Sequence, residues 1–120
     1  MKVYVSGPMT GLTDLGFGAL KAATARFRAD GYDVICPTET PKPVRADGDE
    51  PTHSDWMRAS LRRLCDADVI VMLPGWHDSM GCQQERNAAG AIGCMIVDIG
   101  EPRLDEALRW YAVKRPGRAP

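Results

Sequence analysis

The run D-V-I-V-M-L at residues 68–73 is almost wholly apolar and has the length of a β-strand. Continuous apolar strands are typical of parallel sheets, in which helices cover both faces. Pro74 and Gly75 end the run, and apolar residues at helical spacing follow over residues 80–92. The sequence therefore predicts a buried central strand that leads through a tight turn into a helix.

Strands and helices alternate in the same way through the rest of the chain. Further strands are predicted at residues 2–6, 32–36 and 94–99, the last also buried, and further helices at 14–30, from 54 onward and at 103–111. The irregular segment 37–53 contains four prolines, and loops of this length often cover or bind a ligand. The alternation predicts an α/β fold, a small flavodoxin-like or Rossmann-like three-layer sandwich with a parallel sheet of four or five strands.

Size and charge restrict the classes of protein to which the chain can belong. Its 120 residues predict a single domain over residues 1–111, followed by a frayed basic tail at 112–120. Fifteen Lys and Arg balance sixteen Asp and Glu, so neither a nucleic acid polymer nor an anionic membrane is an expected partner. No apolar run reaches the length of a membrane span and no signal-peptide pattern is present, so a cytoplasmic protein is expected.

The cysteines and histidines do not have the spacing of a metal site. None of the four cysteines forms a C-x-x-C pair, and the two histidines are far apart. We therefore expect reduced, mostly buried thiols, no bound metal and no redox cofactor.

Two loops rich in glycine and hydroxyl groups are candidates for a ligand site. In open parallel sheets, ligands bind beyond the carboxyl ends of the strands, where the strand order reverses. If the first and third strands are neighbours, residues 6–11 and 74–81 face each other at that point. Trp76 lies in the second of these loops and is the tryptophan best placed to stack on a base.

The helix that follows the central strand carries the sharpest candidate, Glu85. At helical spacing Glu85 shares a stripe with Gly81 and Ala89, the face expected to pack on the sheet. A carboxylate there is costly unless it is paired, for example with an arginine, or faces a cavity. Ser79 and Gly81 would leave the first-turn amides open to an anion, although simple helix capping accounts for Ser79 equally well.

Four motifs together resemble the nucleoside 2-deoxyribosyltransferase-like superfamily. They are S-G-P-M-T-G at 6–11, W-M-R-x-x-L at 56–61, D-A-D-V-I-V-M-L-P-G-W at 66–76 and D-S-x-G-x-x-x-E-x-x-x-A at 78–89. The closest resemblance is to the small phage and prophage branch of unassigned function. The chain is also similar to the deoxynucleoside 5′-monophosphate N-glycosidases.

This resemblance implies hydrolysis or transfer at the N-glycosidic bond of a nucleoside or nucleotide. It implies that Glu85 attacks the anomeric carbon and forms a covalent glycosyl-enzyme, while Ser79 and Gly81 hold the phosphate or sugar. A homodimer or larger homo-oligomer is also implied. The nucleotide pocket is completed in such proteins by the first loop, which here is Ser6, Gly7, Pro8 and Met9.

The chain departs from the N-glycosidases at the position of the general acid. Their aspartate, eight positions before the aspartate of the D-V pair, corresponds to Ser60 here, and a serine does not protonate a leaving base at neutral pH. Asp55 and Asp78 are the candidate replacements. A buried serine that bonds back to its own helix is the simpler structural interpretation of Ser60. The alternative function is therefore a nucleotide-binding protein that has lost the acid.

Overall fold

The computed structural model describes residues 1–9 and 16–114. The four strands are β1 (Lys2–Ser6), β2 (Asp33–Ile35), β3 (Val69–Met72) and β4 (Met95–Asp98). The four helices are α1 (Phe17–Ala29), α2 (His53–Leu64), α3 (Met80–Ala91) and α4 (Leu104–Lys114). Short 3₁₀ turns, Pro37–Glu39 and Trp76–Asp78, follow β2 and β3.

The strands form one parallel sheet in the order β2-β1-β3-β4. This arrangement confirms the predicted α/β class, with four strands described. β1 and β3 are hydrogen-bonded neighbours, with Val3 opposite Val69 and Val5 opposite Val71. The chain leaves β1 for β2 on one side and returns to β3 on the other, so the strand order reverses between β1 and β3.

Helices cover both faces of the sheet and give the three-layer arrangement. On one face, α1 and α4 bury Leu20, Phe27 and Leu108 against Val3 and Val71. On the opposite face, α2 and α3 pack against the remaining alternate side chains of the strands. These side chains include Tyr4, Ile70 and Met72, together with Leu64 and Cys82 from the helices.

Several predicted boundaries move by a few residues. The helix predicted from residue 14 begins at Phe17, because Gly16 takes a left-handed φ of 72° and precedes the first turn. Residues 10–15 and 115–120 lie outside the described residues. At the other end, α4 continues to Lys114, three residues beyond its predicted end.

The prediction that the strand at 94–99 is buried was wrong. β4 occupies an edge of the sheet, where Met95, Ile96 and Val97 are half-buried and Asp98 is exposed. An apolar run predicts a strand, but its position in the sheet depends on pairing with distant segments.

Three of the four cysteines are buried free thiols, as predicted, and Cys65 is the exposed one. Among the described residues, no helix combines the length and apolar character needed to cross a bilayer.

Candidate functional site

A cavity of about 640 Å³ lies at the carboxyl ends of the strands. The loops after β1 and β3 form one side of it, and α2 and the first turns of α3 form the other. Its walls comprise Gly7, Pro8, Met9, Pro37, His53, Trp56, Met57, Ser60, Pro74, Gly75, Asp78, Ser79, Met80, Gly81, Cys82 and Glu85. Most residues predicted for the site are thus brought to one cavity, at the point where the strand order reverses.

The two glycine loops are in close contact. A Cβ on Gly75, which has a φ of 88°, would lie 3.2 Å from Cγ of Pro8. A Cβ on Gly7 would lie 2.9 Å from Cδ1 of Leu73 and 3.3 Å from Cδ2 of Leu20. Packing of the first loop against the sheet therefore requires glycine at position 7, whatever ligand the loop contacts.

Glu85 borders the cavity although its side chain is only 7% exposed. The Tyr4 hydroxyl donates a hydrogen bond to Oε2 of Glu85, and the Ser6 hydroxyl donates one to Oε1 at 3.2 Å. Tyr4 and Ser6 are two residues apart on β1, so both side chains project from the same face of the sheet, toward α3. The carboxylate is held at the base of the cavity by two hydroxyl donors.

Burial raises the pKa of Glu85 above its ordinary value, and the hydrogen bonds from Tyr4 and Ser6 oppose that increase. Burial, reinforced by the nearby Glu85 charge, raises the pKa of Tyr4 well above its ordinary value. Tyr4 therefore keeps its proton and acts as a donor. The nearby Ser60 hydroxyl opposes the rise in the pKa of Tyr4, and Ser60 borders the same cavity as Glu85.

The N-terminus of α3 forms the adjacent part of the wall. The Ser79 hydroxyl caps the helix by accepting a hydrogen bond from the Cys82 amide at 3.3 Å. A Cβ on Gly81 would only reach ordinary contact, 3.5 Å from Cε of Met57. Packing does not exclude a side chain at position 81, so the open space in front of this turn is available to a ligand.

Comparison with protein families identifies the group of related sequences. Residues 1–98 match a family described as a domain of unknown function, DUF4406. The chain belongs to DUF4406. No curated protein matches it significantly. Every residue that lines the cavity lies within the matched segment of this DUF4406 protein, whereas α4 lies outside it.

Three predicted site residues do not line the cavity of the DUF4406 chain: Ser6, which is fully buried and bonds to Glu85, and also Asp55 and Trp76. Asp55 accepts a hydrogen bond from the backbone amide of Thr52 at 2.8 Å and from Nη1 of Arg45 at 3.1 Å. It thus belongs to the capping box that starts α2. Nε1 of Trp76 donates to Asp98 at 3.1 Å beside β4. Neither Asp55 nor Trp76 is in position to contact a ligand held by Glu85.

Sequence reasoning assigned Ser60 to the site but missed Tyr4 and the other wall residues of α2. His53, Trp56, Met57 and Ser60 follow helical i, i+3, i+4, i+7 spacing and share that face. Trp56 is 39% exposed despite its large apolar surface. The helical spacing was a usable signal, but only the packed structure shows that this face borders a cavity. For Tyr4 the signal was a phenol in an apolar strand, which needs a buried partner.

Proposed function

We propose that this DUF4406 protein cleaves or transfers the N-glycosidic bond of a (deoxy)nucleoside or its 5′-monophosphate. In this proposal it is a member of the nucleoside 2-deoxyribosyltransferase-like superfamily. The observation that carries the proposal is the buried Glu85 carboxylate at the base of the cavity, held by Tyr4 and Ser6. The sequence resemblance and the agreement between its motifs and the cavity walls support it further.

The arrangement suits nucleophilic attack by a carboxylate. Two hydroxyl donors orient the Glu85 oxygens, while the open cavity gives a sugar access to them. Attack by a Glu85 oxygen on the anomeric carbon gives a glycosyl ester and breaks the bond to the base, which departs with the electron pair and takes a proton from water. Water or a second base then attacks the same carbon, which completes hydrolysis or transfer and regenerates the carboxylate.

The N-terminus of α3 suits the other end of such a substrate. The Ser79 hydroxyl and the first-turn amides other than that of Cys82, which the cap already engages, can donate hydrogen bonds, and the helix dipole favours negative charge there. Since Glu85 is six residues after Ser79 on the same helix, a sugar can lie between the phosphate and the carboxylate.

Base release provides the direct test of the proposed activity. The protein is incubated with each common deoxynucleoside monophosphate and ribonucleotide, and free base is measured by chromatography. We expect release by the wild-type protein and none by Glu85→Gln, which keeps the shape of the side chain without a nucleophilic charge. Exchange of a labelled free base into the product distinguishes transfer from hydrolysis.

The second candidate function is nucleotide binding without catalysis. It is favoured by Ser60, which borders the cavity at the position where the N-glycosidases have an acid. This alternative predicts saturable binding of the same nucleotides by calorimetry, with no base released. We further propose a homodimer or larger homo-oligomer in the cytoplasm, for which sedimentation of the purified chain is the test of assembly.

A further inference from the structure

The cavity around Glu85 contains no positively charged Lys or Arg side chain among the described residues. Its ionisable groups are His53, Asp78, Cys82 and Glu85. The ionisable groups that line the cavity are thus mainly acidic. None of them takes the place of the aspartate that the N-glycosidases have at the position of Ser60.

None of the ionisable side chains is suited to protonating a base that departs next to Glu85. His53 precedes Ser60 by seven residues, or about 10 Å along the axis of α2, and so lies at the far end of the cavity. Asp78 is exposed and lies just before the N-cap of α3, about 10 Å along the helix axis from Glu85. Burial raises the pKa of the Cys82 thiol, which makes it a weaker acid still.

We propose that the preferred substrates are N-glycosides whose base is already a cation, such as N7-alkylated purine or pyridinium nucleotides. This inference rests on the proposed function and specifies its substrate class. A cationic base needs no proton in order to leave, so the lack of a suitable acid among the described wall residues has no cost for this class of substrate.

The reaction then balances without a general acid. A Glu85 oxygen bonds to C1′, and the C1′–N bond breaks with its electron pair remaining on the ring nitrogen. That pair cancels the positive charge of the ring, and the base departs neutral. Water next attacks C1′, the ester bond to Glu85 breaks, and one proton passes to solvent. The products are the free sugar or sugar phosphate and the neutral base.

The aromatic wall of the cavity supports the same substrate class. Trp56 borders the cavity one helical turn before Ser60, with 39% of its surface exposed. An indole face attracts a cation through its quadrupole, and tryptophan is the strongest of the aromatic residues in this respect. The two carboxylates, Asp78 and Glu85, add attraction for positive charge.

Matched substrate pairs test the inference. The first pair is 7-methyl-2′-deoxyguanosine 5′-monophosphate and 2′-deoxyguanosine 5′-monophosphate; the second is nicotinamide mononucleotide and its reduced, uncharged form. Release is measured with wild type and with Glu85→Gln, which also corrects for spontaneous depurination. We expect the cationic member of at least one pair to react about 100-fold faster or more. The pair that responds identifies whether an alkylated purine or a pyridinium is the source of the cation.

Two variants make the test sharper. Ser60→Asp supplies a carboxyl group at the acid position, so it should accelerate release of unmethylated guanine by a larger factor than release of 7-methylguanine. Trp56→Leu should slow release from the cationic substrates, while Trp110→Leu, an exposed tryptophan on α4, serves as the matched control.

The outcomes separate the inference from the proposed function. Glu85-dependent release at equal rates from charged and uncharged substrates would overturn the inference and leave the glycosidase proposal intact. Release from no substrate would overturn both. A Ser60→Asp variant that accelerates both substrates equally would also contradict the inference, because the missing acid would then not set the preference.

Discussion

The surroundings of Glu85 act on its negative charge in two opposite ways. Burial disfavours its negative charge, while the hydroxyls of Tyr4 and Ser6 stabilise that charge and hold it beside the cavity. A carboxylate in this setting is partly desolvated and already oriented, as a nucleophile must be. Burial of the charge lowers the free energy of unfolding, and the same burial leaves the carboxylate desolvated and oriented for attack.

Replacement of Glu85 by Gln should stabilise the fold at neutral pH. Because the folded-state pKa of Glu85 is raised, the protein loses stability as pH rises from the ordinary carboxyl value through the folded value. We expect a gain on the order of 1 kcal/mol at pH 8 that shrinks toward pH 4, measured by urea unfolding. A variant less stable than wild type at both pH values would contradict the argument.

Tyr4→Phe should remove the donor that most strongly favours the charged form of Glu85. We expect a loss of about 1–3 kcal/mol in unfolding free energy, and a smaller loss in the Glu85→Gln background. The acid limb of the base-release profile should also move to higher pH, since the pKa of Glu85 rises further.

A second buried tyrosine provides the control for Tyr4. The Tyr111 hydroxyl donates to the neutral carbonyl of Gly93 at 3.1 Å, on the other face of the sheet. Tyr111→Phe should cost about 1 kcal/mol and leave the pH profile unchanged. Equal couplings of both tyrosines to Glu85 in double-mutant cycles would show that Tyr4 has no special role.

At the scale of elements, α2 has a structural end and a cavity-facing side. Its N-terminus is held by a capping box, in which the Thr52 hydroxyl accepts from the Asp55 amide and Asp55 accepts from the Thr52 amide. Its cavity face begins one residue after the cap, at His53. The position of the cap therefore determines which side chains of α2 face the cavity.

Substitutions in the capping box should reduce stability without removing activity. Thr52→Ala should lower the unfolding free energy by about 1 kcal/mol, and Asp55→Ala should change it in the same direction. Base release per folded molecule should stay near the wild-type rate in both variants. A loss of about 100-fold confined to Asp55→Ala would instead identify Asp55 as the general acid.

The glycines of the two loops should respond differently to a methyl group. Gly7→Ala places its Cβ against Leu73 and Leu20 and should destabilise the protein by about 1–3 kcal/mol. Gly81→Ala has room in the unliganded fold, so unfolding should be nearly unchanged while nucleotide affinity falls by about tenfold. Thermal unfolding and calorimetry measure the two effects. Equal affinity in Gly81→Ala and wild type would exclude ligand approach to this turn.

At the scale of the whole molecule, the cavity joins segments that are distant in sequence. The loop after β1, the face of α2 and the start of α3 meet only because β1 and β3 are neighbours. On the opposite face, α1 and α4 pack against the sheet, and none of their described residues lines the cavity. A ligand that binds in the cavity would therefore bind only the folded protein, because the unfolded chain has no equivalent site.

Nucleotide binding should for this reason stabilise the entire domain. At a free concentration 100 times the dissociation constant, a ligand specific for the folded state adds about 2.7 kcal/mol. Thermal unfolding of Glu85→Gln, which prevents turnover, measures this effect across a series of nucleotides. A melting temperature that is independent of nucleotide concentration would exclude the cavity as their binding site.

Local patterns in the sequence were enough to predict the α/β class, the alternation of elements and the inward orientation of Glu85. These predictions succeeded because helical and strand periodicities indicate which side chains of an element face the core. The two glycine loops followed from the same patterns once the first and third strands were assumed to be neighbours. The prediction that residues 94–99 are buried was wrong, because an apolar run such as β4 has the same pattern whether the strand lies at the edge or at the centre of the sheet.

Only the tertiary structure decided what faces the cavity. It brought Tyr4 to Glu85 and Trp56 to the wall, and it placed Trp76 beside β4. These contacts join segments tens of residues apart, and they depend on how the layers pack rather than on any local preference. Short-range periodicity states that a side chain points inward; the packing of distant segments determines what it meets there.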